Sequence, residues 1–416
     1  MKKHPLIETL LTLRGNSRAC VYTEPLWSIP FSLYMPFISV YMAALLLTDS
    51  QIGIVASVSM LFRAIFALLS GAVTDKLGRK KATFIFDCLS WTIPSLLWAF
   101  SQNFWWFIIA AALNGMMQIP DNSWTCLLVE DAEKSAMVKI YSLIHIAGQL
   151  AVIFAPISAV LVSRFSVVPV MRGLYLFAFL SMTSKFILLY KYCEETEVGK
   201  VRKKETENMS ILKIMSGYGQ VFRRVLASSG MKLALTISAI FGVTTMITGN
   251  FFGLYTTGNL LIPEHFLGYF PILRSAVIIS FLFLVQPVLN RFGFRRPMMA
   301  GIIIYIVSHA VLLMAPSGNL LIPFVYVLLE ACAFSLVMPR RDSIIALLIE
   351  ADERARISSI ITVLTLSCSI PFGYFAGWLS DMDRRLPFAL DIALFALVFA
   401  VVGASGKLME RPAERR

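Results

Sequence analysis

Charged residues are scarce in this chain, and apolar residues take up too much of it for a water-soluble protein. Only 15% of the 416 residues are Asp, Glu, Lys or Arg, whereas 57% are hydrophobic and the mean hydropathy is +0.74. A single globule of this length cannot hide so much apolar surface from water. The sequence therefore predicts a protein whose solvent is a lipid bilayer.

Motifs of catalysis and nucleotide binding are also absent. The chain has no GxxxxGK(S/T), HExxH or GxSxG sequence, so neither ATP hydrolysis nor common hydrolase chemistry is encoded. The six cysteines form no CxxC pair, and the four histidines show no metal-ligand spacing. We expect no catalytic residue, metal or cofactor. A membrane-embedded enzyme and a non-transporting sensor stay open as alternatives of another class.

The apolar runs have the length and spacing of membrane-spanning helices. A helix satisfies its own backbone hydrogen bonds in lipid, and each run is long enough to cross a hydrocarbon core about 30 Å thick. The runs lie at 20–47, 51–74, 82–101, 104–128, 137–163, 168–191, 230–256, 265–289, 297–315, 320–349, 357–380 and 386–406.

These runs predict an all-α membrane protein with twelve transmembrane helices. A long polar stretch separates the sixth run from the seventh. We therefore expect an N-terminal six-helix bundle (1–191), a cytoplasmic linker (192–229) and a C-terminal six-helix bundle (230–416).

Lysine and arginine collect on one side of the predicted membrane. Most of the 37 basic residues fall at the N-terminus, in alternate loops, in the linker and after residue 406. The opposite loops hold Arg164, Arg384 and Arg385. Because basic loops stay cytoplasmic, we expect an inner-membrane protein with both termini in the cytoplasm. The net charge of +12 then indicates contact with anionic lipid and no nucleic acid.

Two segments repeat at nearly one offset. The loop at Gly78 matches the loop at Gly293, 215 positions later, and LLVEDAEKS matches LLIEADERA, 220 positions later. In the second match, four residues of the first half are identical to residues of the second, namely Leu127, Leu128, Glu130 and Glu133 on Leu347, Leu348, Glu350 and Glu353. The repeat predicts a duplicated six-helix unit in parallel orientation, which places two halves around a central site.

Residues 71–81, GAVTDKLGRKK, resemble the signature loop GxxxD(R/K)xGR(R/K) of the major facilitator superfamily. The residues that fit the pattern are Gly71, Asp75, Lys76, Gly78, Arg79 and Lys80. The resemblance implies two pseudo-symmetric six-helix bundles, and it implies that this cytoplasmic loop latches the two halves in an outward-facing state.

The chemistry of the loop supports specific expectations. Gly78 allows a tight turn. Asp75 is expected to accept hydrogen bonds at the positive N-terminal end of a neighbouring helix. Arg79 is expected to pair with Glu130 or with Asp131.

Other features depart from that superfamily. Asn114 stands where many proton-coupled members carry an arginine, and the fifth helix, GQLAVIFAPISAVL, lacks a GPxxGG pattern. The second copy of the loop, NRFGFRR, has Asn290 in place of the acid. These departures leave proton antiport open rather than implied.

Three charged residues lie near the middle of predicted helices: Arg63, Arg274 and Glu330. Charges at that depth are costly and usually functional. The arginines either bind an anionic or polyhydroxylated ligand or are neutralised internally by Glu330 or other acids, and both readings stay open. We expect Glu330 to be the residue that takes up a proton for coupling, with a structural hydrogen bond as the alternative.

The fourth helix carries a polar stripe. Asn114, Gln118, Asp121 and Thr125 follow a helical spacing and share one face, which we expect to line water or ligand. By resemblance, the first helix also lines the cavity and contributes Tyr34.

The sequence thus predicts a secondary active transporter that moves a small polar or amphipathic molecule by alternating access. Export is favoured over uptake because the methionine and aromatic content suits an adaptable cavity. A nutrient or metabolite uniporter or symporter of the same fold remains the alternative. We expect a small-molecule substrate, a proton or another coupling ion, the lipid bilayer and a monomeric state.

Overall fold

A computed structural model describes residues 5–214, 218–289, 293–348 and 354–405. These residues are almost entirely helical and include no strand. Two of the repeated segments fall partly outside the described residues, Asn290 to Phe292 of the second loop and Ile349 to Glu353 of the second LLIEADERA copy.

The first half of the chain contains six long helical segments. They are α1 (Gly15–Ala44), α2 (Asp49–Leu77), α3 (Arg79–Ala99), α4 (104–129), α5 (134–165) and α6 (Val167–Tyr192). Shorter helices precede α1 and follow α6, at Pro5–Thr12, Glu197–Thr206, Ile211–Ile214 and Tyr218–Ala227.

The second half repeats the arrangement. Its long helices are α7 (Ser229–Gly258), α8 (270–289), α9 (Arg295–Leu313), α10 (Leu321–Leu348), α11 (Arg354–Met382) and α12 (Leu386–Ala404). Within the described ranges, ten helices are long and apolar enough to cross a membrane. The other two are α4, which carries polar residues in its middle, and α8, which is interrupted at Val285. This pattern confirms the all-α membrane fold and is consistent with twelve spanning helices.

Contacts divide the chain into two compact units. The first comprises Met1–Met35 and Val58–Gly217, and the second comprises Pro36–Ser57 and Tyr218–Arg416. The divisions fall inside α1 and α2. The end of α1 and the beginning of α2 therefore pack with the second unit, although they belong to the first repeat of the sequence.

Each unit has its own apolar core. In the first unit, buried residues of α1, α4, α5 and α6 meet, among them Cys20, Leu128, Ile140 and Leu189. In the second, buried residues of α7, α9, α10 and α12 meet, among them Phe241, Tyr305, Val337 and Phe395.

Prolines interrupt several helices, and neighbouring helices compensate. Proline has no N–H, so the carbonyl four residues earlier loses its helical partner. For Pro30 that carbonyl belongs to Leu26, and it accepts a 2.7 Å bond from the Ser181 hydroxyl of α6. For Pro94 it belongs to Ser90, and it accepts a 2.8 Å bond from the Asn114 amide of α4. These bonds satisfy backbone groups that lipid cannot.

Glycines let α2 and α11 approach closely within the second unit. A Cβ atom at Gly377 would lie 2.7 Å from the Asp49 carbonyl oxygen and 3.1 Å from the Gly53 Cα. Four residues after Gly53, the Ser57 hydroxyl donates to the Ile370 carbonyl at 2.6 Å and accepts from the Tyr374 N–H at 2.8 Å. The first turns of α2 are therefore packed backbone against backbone on α11.

Replacing Gly377 with Ala is expected to lower stability, because the obstructing atoms are backbone and cannot rotate away. We expect a loss of roughly 1–3 kcal/mol, measured as a lower midpoint in thermal unfolding of the purified protein in detergent. Gly249→Ala is the control, since a Cβ there meets nothing within 4 Å and alanine favours the helix. An equal midpoint for both variants would contradict the packing.

Candidate functional site

Arg79 is the centre of the charged network in the motif loop. Its Nη1 donates to Asp75 at 2.9 Å, while Nε and Nη2 each donate to a Glu130 oxygen at 3.1 Å. The guanidinium is buried, so this forked arrangement is shielded from water. Of the two acids expected from the sequence, Glu130 is the partner of Arg79.

Asp131 lies in a different set of bonds. Its carboxylate accepts from the Asn16 amide and from the Glu197 N–H, both at 3.3 Å. It thus ties the segment after α6 to the beginning of α1 and to the end of α4.

The remaining loop residues have local roles. Gly78 has a φ of +86°, a backbone conformation that glycine adopts without strain. The Lys76 ammonium donates to the Met209 carbonyl at 2.9 Å, and the Lys80 ammonium lies 4.8 Å from the centre of the Tyr190 ring. Gly71 lies on α2, one helical turn before Asp75.

The expectation that Asp75 accepts from a helix N-terminus stays a prediction, since the described residues show its carboxylate only in a bond from Arg79. Glu195 accepts from the first N–H groups of α3, those of Arg79 at 2.9 Å and Lys80 at 3.2 Å. The Thr196 hydroxyl donates to Glu130. We call these five residues, Asp75, Arg79, Glu130, Glu195 and Thr196, the motif-loop network.

The sequence reading missed Glu195 and Thr196 because they lie in a segment that looked like a plain linker. The only local signal was the acidic run CEETE directly after α6. Helix N-termini leave N–H groups that need an acceptor, but the acceptor for α3 lies 116 positions away from Arg79.

Arg274 and Glu330 form a forked ion pair between α8 and α10. Nε donates to one carboxylate oxygen at 2.8 Å and Nη2 to the other at 3.1 Å. The guanidinium also lies 4.5 Å from the centre of the Phe334 ring. Of the readings left open by the sequence, this structure shows internal neutralisation of Arg274 by Glu330.

Arg63 faces a different acid within the first unit. The Asp121 carboxylate of α4 interacts electrostatically with the Arg63 guanidinium. The Arg63 Nε atom has no hydrogen-bond partner within the described ranges. The arginine is half-buried, and Asp121 is exposed. These two residues can therefore offer a cation and an anion to a ligand.

Only part of the polar stripe of α4 can bind a ligand, because two of its side chains already form hydrogen bonds within the protein. The Asn114 amide nitrogen is used at the Ser90 carbonyl, and the Thr125 hydroxyl donates to the Asp121 carbonyl of its own helix at 2.7 Å. Gln118 is half-buried. Tyr34 is almost fully buried, with its ring 4.9 Å from that of Tyr175, so it belongs to an aromatic core.

A buried ion pair in the first unit was not singled out from the sequence. The Lys185 ammonium of α6 donates to the Glu24 carboxylate of α1 at 2.7 Å. It also lies 5.1 Å from the Trp124 ring and 5.8 Å from the Trp27 ring. Lys185 escaped notice because it lies in the last third of α6, where a lysine reads as reaching towards the membrane surface.

A second network lies at the beginning of α2. The Asp49 carboxylate accepts from Arg384 Nε at 2.7 Å and Nη2 at 3.0 Å, and from the Ser380 hydroxyl at 2.6 Å. The Asp381 carboxylate accepts from the N–H groups of Asp49 and Ser50 at 3.0 and 3.1 Å. We call Asp49, Ser380, Asp381 and Arg384 the Asp49 network.

No group of three or more His, Cys, Asp or Glu residues that could hold a metal ion occurs in the part of the chain that the structure describes.

Comparisons with known proteins agree on one kind of fold. A family model described as Major Facilitator Superfamily matches residues 28–364. The multidrug resistance protein MdtG of Rahnella sp. (strain Y9602) is 36% identical over 92 residues, which is 21% of this chain and 22% of that protein. An uncharacterized MFS-type transporter of Bacillus subtilis (strain 168), YqjV, is 26% identical over 152 residues, 35% of this chain and 37% of that protein.

The solved structures cover far more of the chain than these curated relatives. The crystal structure of the nucleoside transporter NupG has a TM-score of 0.73 at 15% identity, covering 95% of this chain and all of that one. At this identity the likeness shows the fold alone.

Breaking the Glu24–Lys185 pair is expected to destabilise the protein strongly, because the remaining charge stays buried. We expect Lys185→Met to cost roughly 3–5 kcal/mol and Glu24→Gln/Lys185→Met to cost much less than the two single changes together. Chemical unfolding in detergent measures both. The same cycle on the exposed Glu197–Lys200 pair should show no coupling. Additive effects at Glu24 and Lys185 would contradict a buried pair.

Proposed function

This chain belongs to the Major Facilitator Superfamily, and we propose that within it the protein is a proton-coupled exporter of small amphipathic molecules. Its family makes it a multi-pass membrane transporter. The cargo, the direction and the coupling ion are our proposal. Two facts support the cargo class. One is the multidrug-resistance name of relatives that match a fifth of the chain. The other is the 19 methionines and 12% aromatic residues, which suit an adaptable apolar site.

The Arg274–Glu330 pair is the observation that carries the proposal. In an apolar bundle each partner neutralises the other, so neither can be removed without replacing its charge or its bonds. A proton on Glu330 neutralises its carboxylate in place of Arg274. A polar group of the cargo can likewise take over hydrogen bonds of Arg274 or of Glu330. Proton and cargo therefore compete for one pair, which is the requirement for exchange of one against the other.

Arg63 and Asp121 supply the corresponding polar groups of the first unit. Because Asp121 is exposed and Arg63 is half-buried, and neither belongs to a forked ion pair among the described residues, these groups can bind cargo without first breaking such a pair. We assign them to cargo binding, with Gln118 beside them on α4. Coupling is assigned to Glu330.

The two ends of α2 provide the gates. A helix of 29 residues is about 43 Å long, so its ends lie on opposite sides of a hydrocarbon core about 30 Å thick. Asp49 begins this helix and Asp75 lies near its end, and each belongs to a network of charged bonds. In the proposed cycle, these networks open in turn, with the motif-loop network on the cytoplasmic side.

The distribution of basic residues and the sequence repeat support further parts of the proposal. The basic residues support an inner-membrane location with both termini in the cytoplasm, and the two repeats of the sequence support two six-helix bundles that move relative to each other. We propose that a single copy of the chain is sufficient for transport.

Glu330→Gln is expected to abolish the response to a pH gradient, because glutamine cannot take up a proton. Purified protein in liposomes would be supplied with ethidium as the amphipathic probe. In the wild type, an imposed pH gradient should increase ethidium accumulation at least tenfold. In Glu330→Gln, the gradient should have no effect, whereas exchange of ethidium between equal pools should persist.

Glu205→Gln is the matched control, since Glu205 is an exposed acid paired with Arg202 on the surface, where ion pairs contribute little. It should respond to the gradient as the wild type does. A wild-type protein that binds ethidium without moving it would favour the sensor alternative, and gradient-driven flux in Glu330→Gln would remove this residue from coupling.

A further inference from the structure

A buried histidine and a buried acid meet inside the second unit, away from the groups assigned above. His309 of α9 and Asp391 of α12 are 1% and 0% exposed, and Nε2 lies 3.5 Å from Oδ2. Aromatic rings enclose the imidazole, with the centres of Tyr326 and Phe395 each 5.2 Å away. The pair is therefore enclosed by rings and closed to bulk water.

The hydrogen bonds of His309 determine which of its nitrogens carries a proton. Nδ1 lies 2.9 Å from the Tyr305 carbonyl oxygen, and a carbonyl can only accept. Nδ1 must therefore donate its N–H. The Ser308 hydroxyl, 3.2 Å from Nδ1, itself donates to the same carbonyl at 2.8 Å. In a neutral imidazole, Nε2 is then left with a lone pair and no proton.

Without a further proton, Nε2 and the Asp391 carboxylate would be two acceptors facing each other. Neither Asp391 oxygen has a hydrogen-bond partner of ordinary geometry in the described ranges, and Nε2 has none either. An ionised carboxylate in that state would be buried, opposed by a lone pair, and supported among the described residues by no cation but only by the neutral Thr248 hydroxyl, which is very costly. One proton between the two residues converts them into donor and acceptor and cancels the net charge.

No other cation among the described residues takes the place of that proton. The ionisable groups around the pair are Tyr305 on α9, Arg274 on α8, and Tyr326, Glu330 and Arg341 on α10. Both cations of this set already have an acid, Arg274 in Glu330 and Arg341 in Asp342. The tyrosines add no positive charge.

We propose that His309 and Asp391 form a proton-binding site that holds one proton at neutral pH, in addition to the site at Glu330. In this proposal, Thr248 of α7 passes the proton to and from the site. It is half-buried and lies close to both Asp391 and Tyr326. Because a hydroxyl both donates and accepts, it can pass a proton to Asp391.

Proton occupancy can be measured without any transport assay. The chain has only four histidines, so imidazole ¹⁵N and aspartate ¹³Cγ spectra of the full-length protein in nanodiscs are tractable, with His309→Gln and Asp391→Asn used for assignment. At about pH 7.5, an ordinary histidine is almost entirely neutral and an ordinary aspartic acid is ionised. We expect either a doubly protonated His309 or a protonated Asp391 carboxyl.

A neutral His309 together with an ionised Asp391 would overturn the proton site. If one assignment variant fails to fold, the other still identifies its resonance in the wild-type spectrum. The spectrum of the folded wild type decides whether the buried pair holds the proton, and the variants serve only to assign its resonances.

The coupling role of the site rests on the proposed function and has a separate test. In liposomes with ethidium, where Glu330 stays necessary for any gradient-driven flux, we expect Asp391→Asn to move one proton fewer per cargo than the wild type, and Thr248→Val to slow gradient-driven flux at least threefold. An unchanged proton ratio in Asp391→Asn would overturn the coupling role. A wild type without gradient-driven flux would overturn the proposed function, while the NMR result on proton occupancy would still decide the site.

Discussion

A charge inside an apolar helix bundle must have a partner, and the charged architecture of this protein follows from that constraint. Removing an ion from water costs several kcal/mol in real proteins, and an opposite charge with well-placed hydrogen bonds offsets the cost. The chain meets this requirement through pairs that join helices distant in sequence, at Asp75–Arg79–Glu130, Glu24–Lys185, Asp49–Arg384 and Arg274–Glu330.

The same constraint gives the proposed cycle its chemistry. A pair that neutralises itself has two stable alternatives, intact or with each partner satisfied by something else, and a bistable element of this kind responds to whatever supplies the replacement. Protons can replace Arg274 at Glu330. At the two ends of α2, water and backbone groups can replace the bonds of the Asp49 and motif-loop networks. Movement, cargo binding and proton binding then draw on one kind of interaction.

Sequence alone predicted the membrane-spanning helices, the motif loop and an acidic partner for Arg79, because these depend on local sequence pattern. Hydropathy gave the helices, the motif gave the loop around Gly78, and the charge of Arg79 required an acid such as Glu130. It did not predict the role of Asn114, which follows from the N–H that Pro94 lacks. The sequence also gave no indication of the roles of Lys185, Glu195 and Arg384. Each of them bonds to a partner more than 100 positions away.

The central claim is that transport requires the Asp49 network to open, and a reversible staple tests it most directly. In a background without the six native cysteines, Asp49→Cys and Arg384→Cys would be bridged by a short bis-methanethiosulfonate in liposomes, with each single variant as control. The account predicts that ethidium flux stops when both positions are bridged and returns when a reductant cleaves the bridge. Full-rate flux through the bridged protein would contradict it.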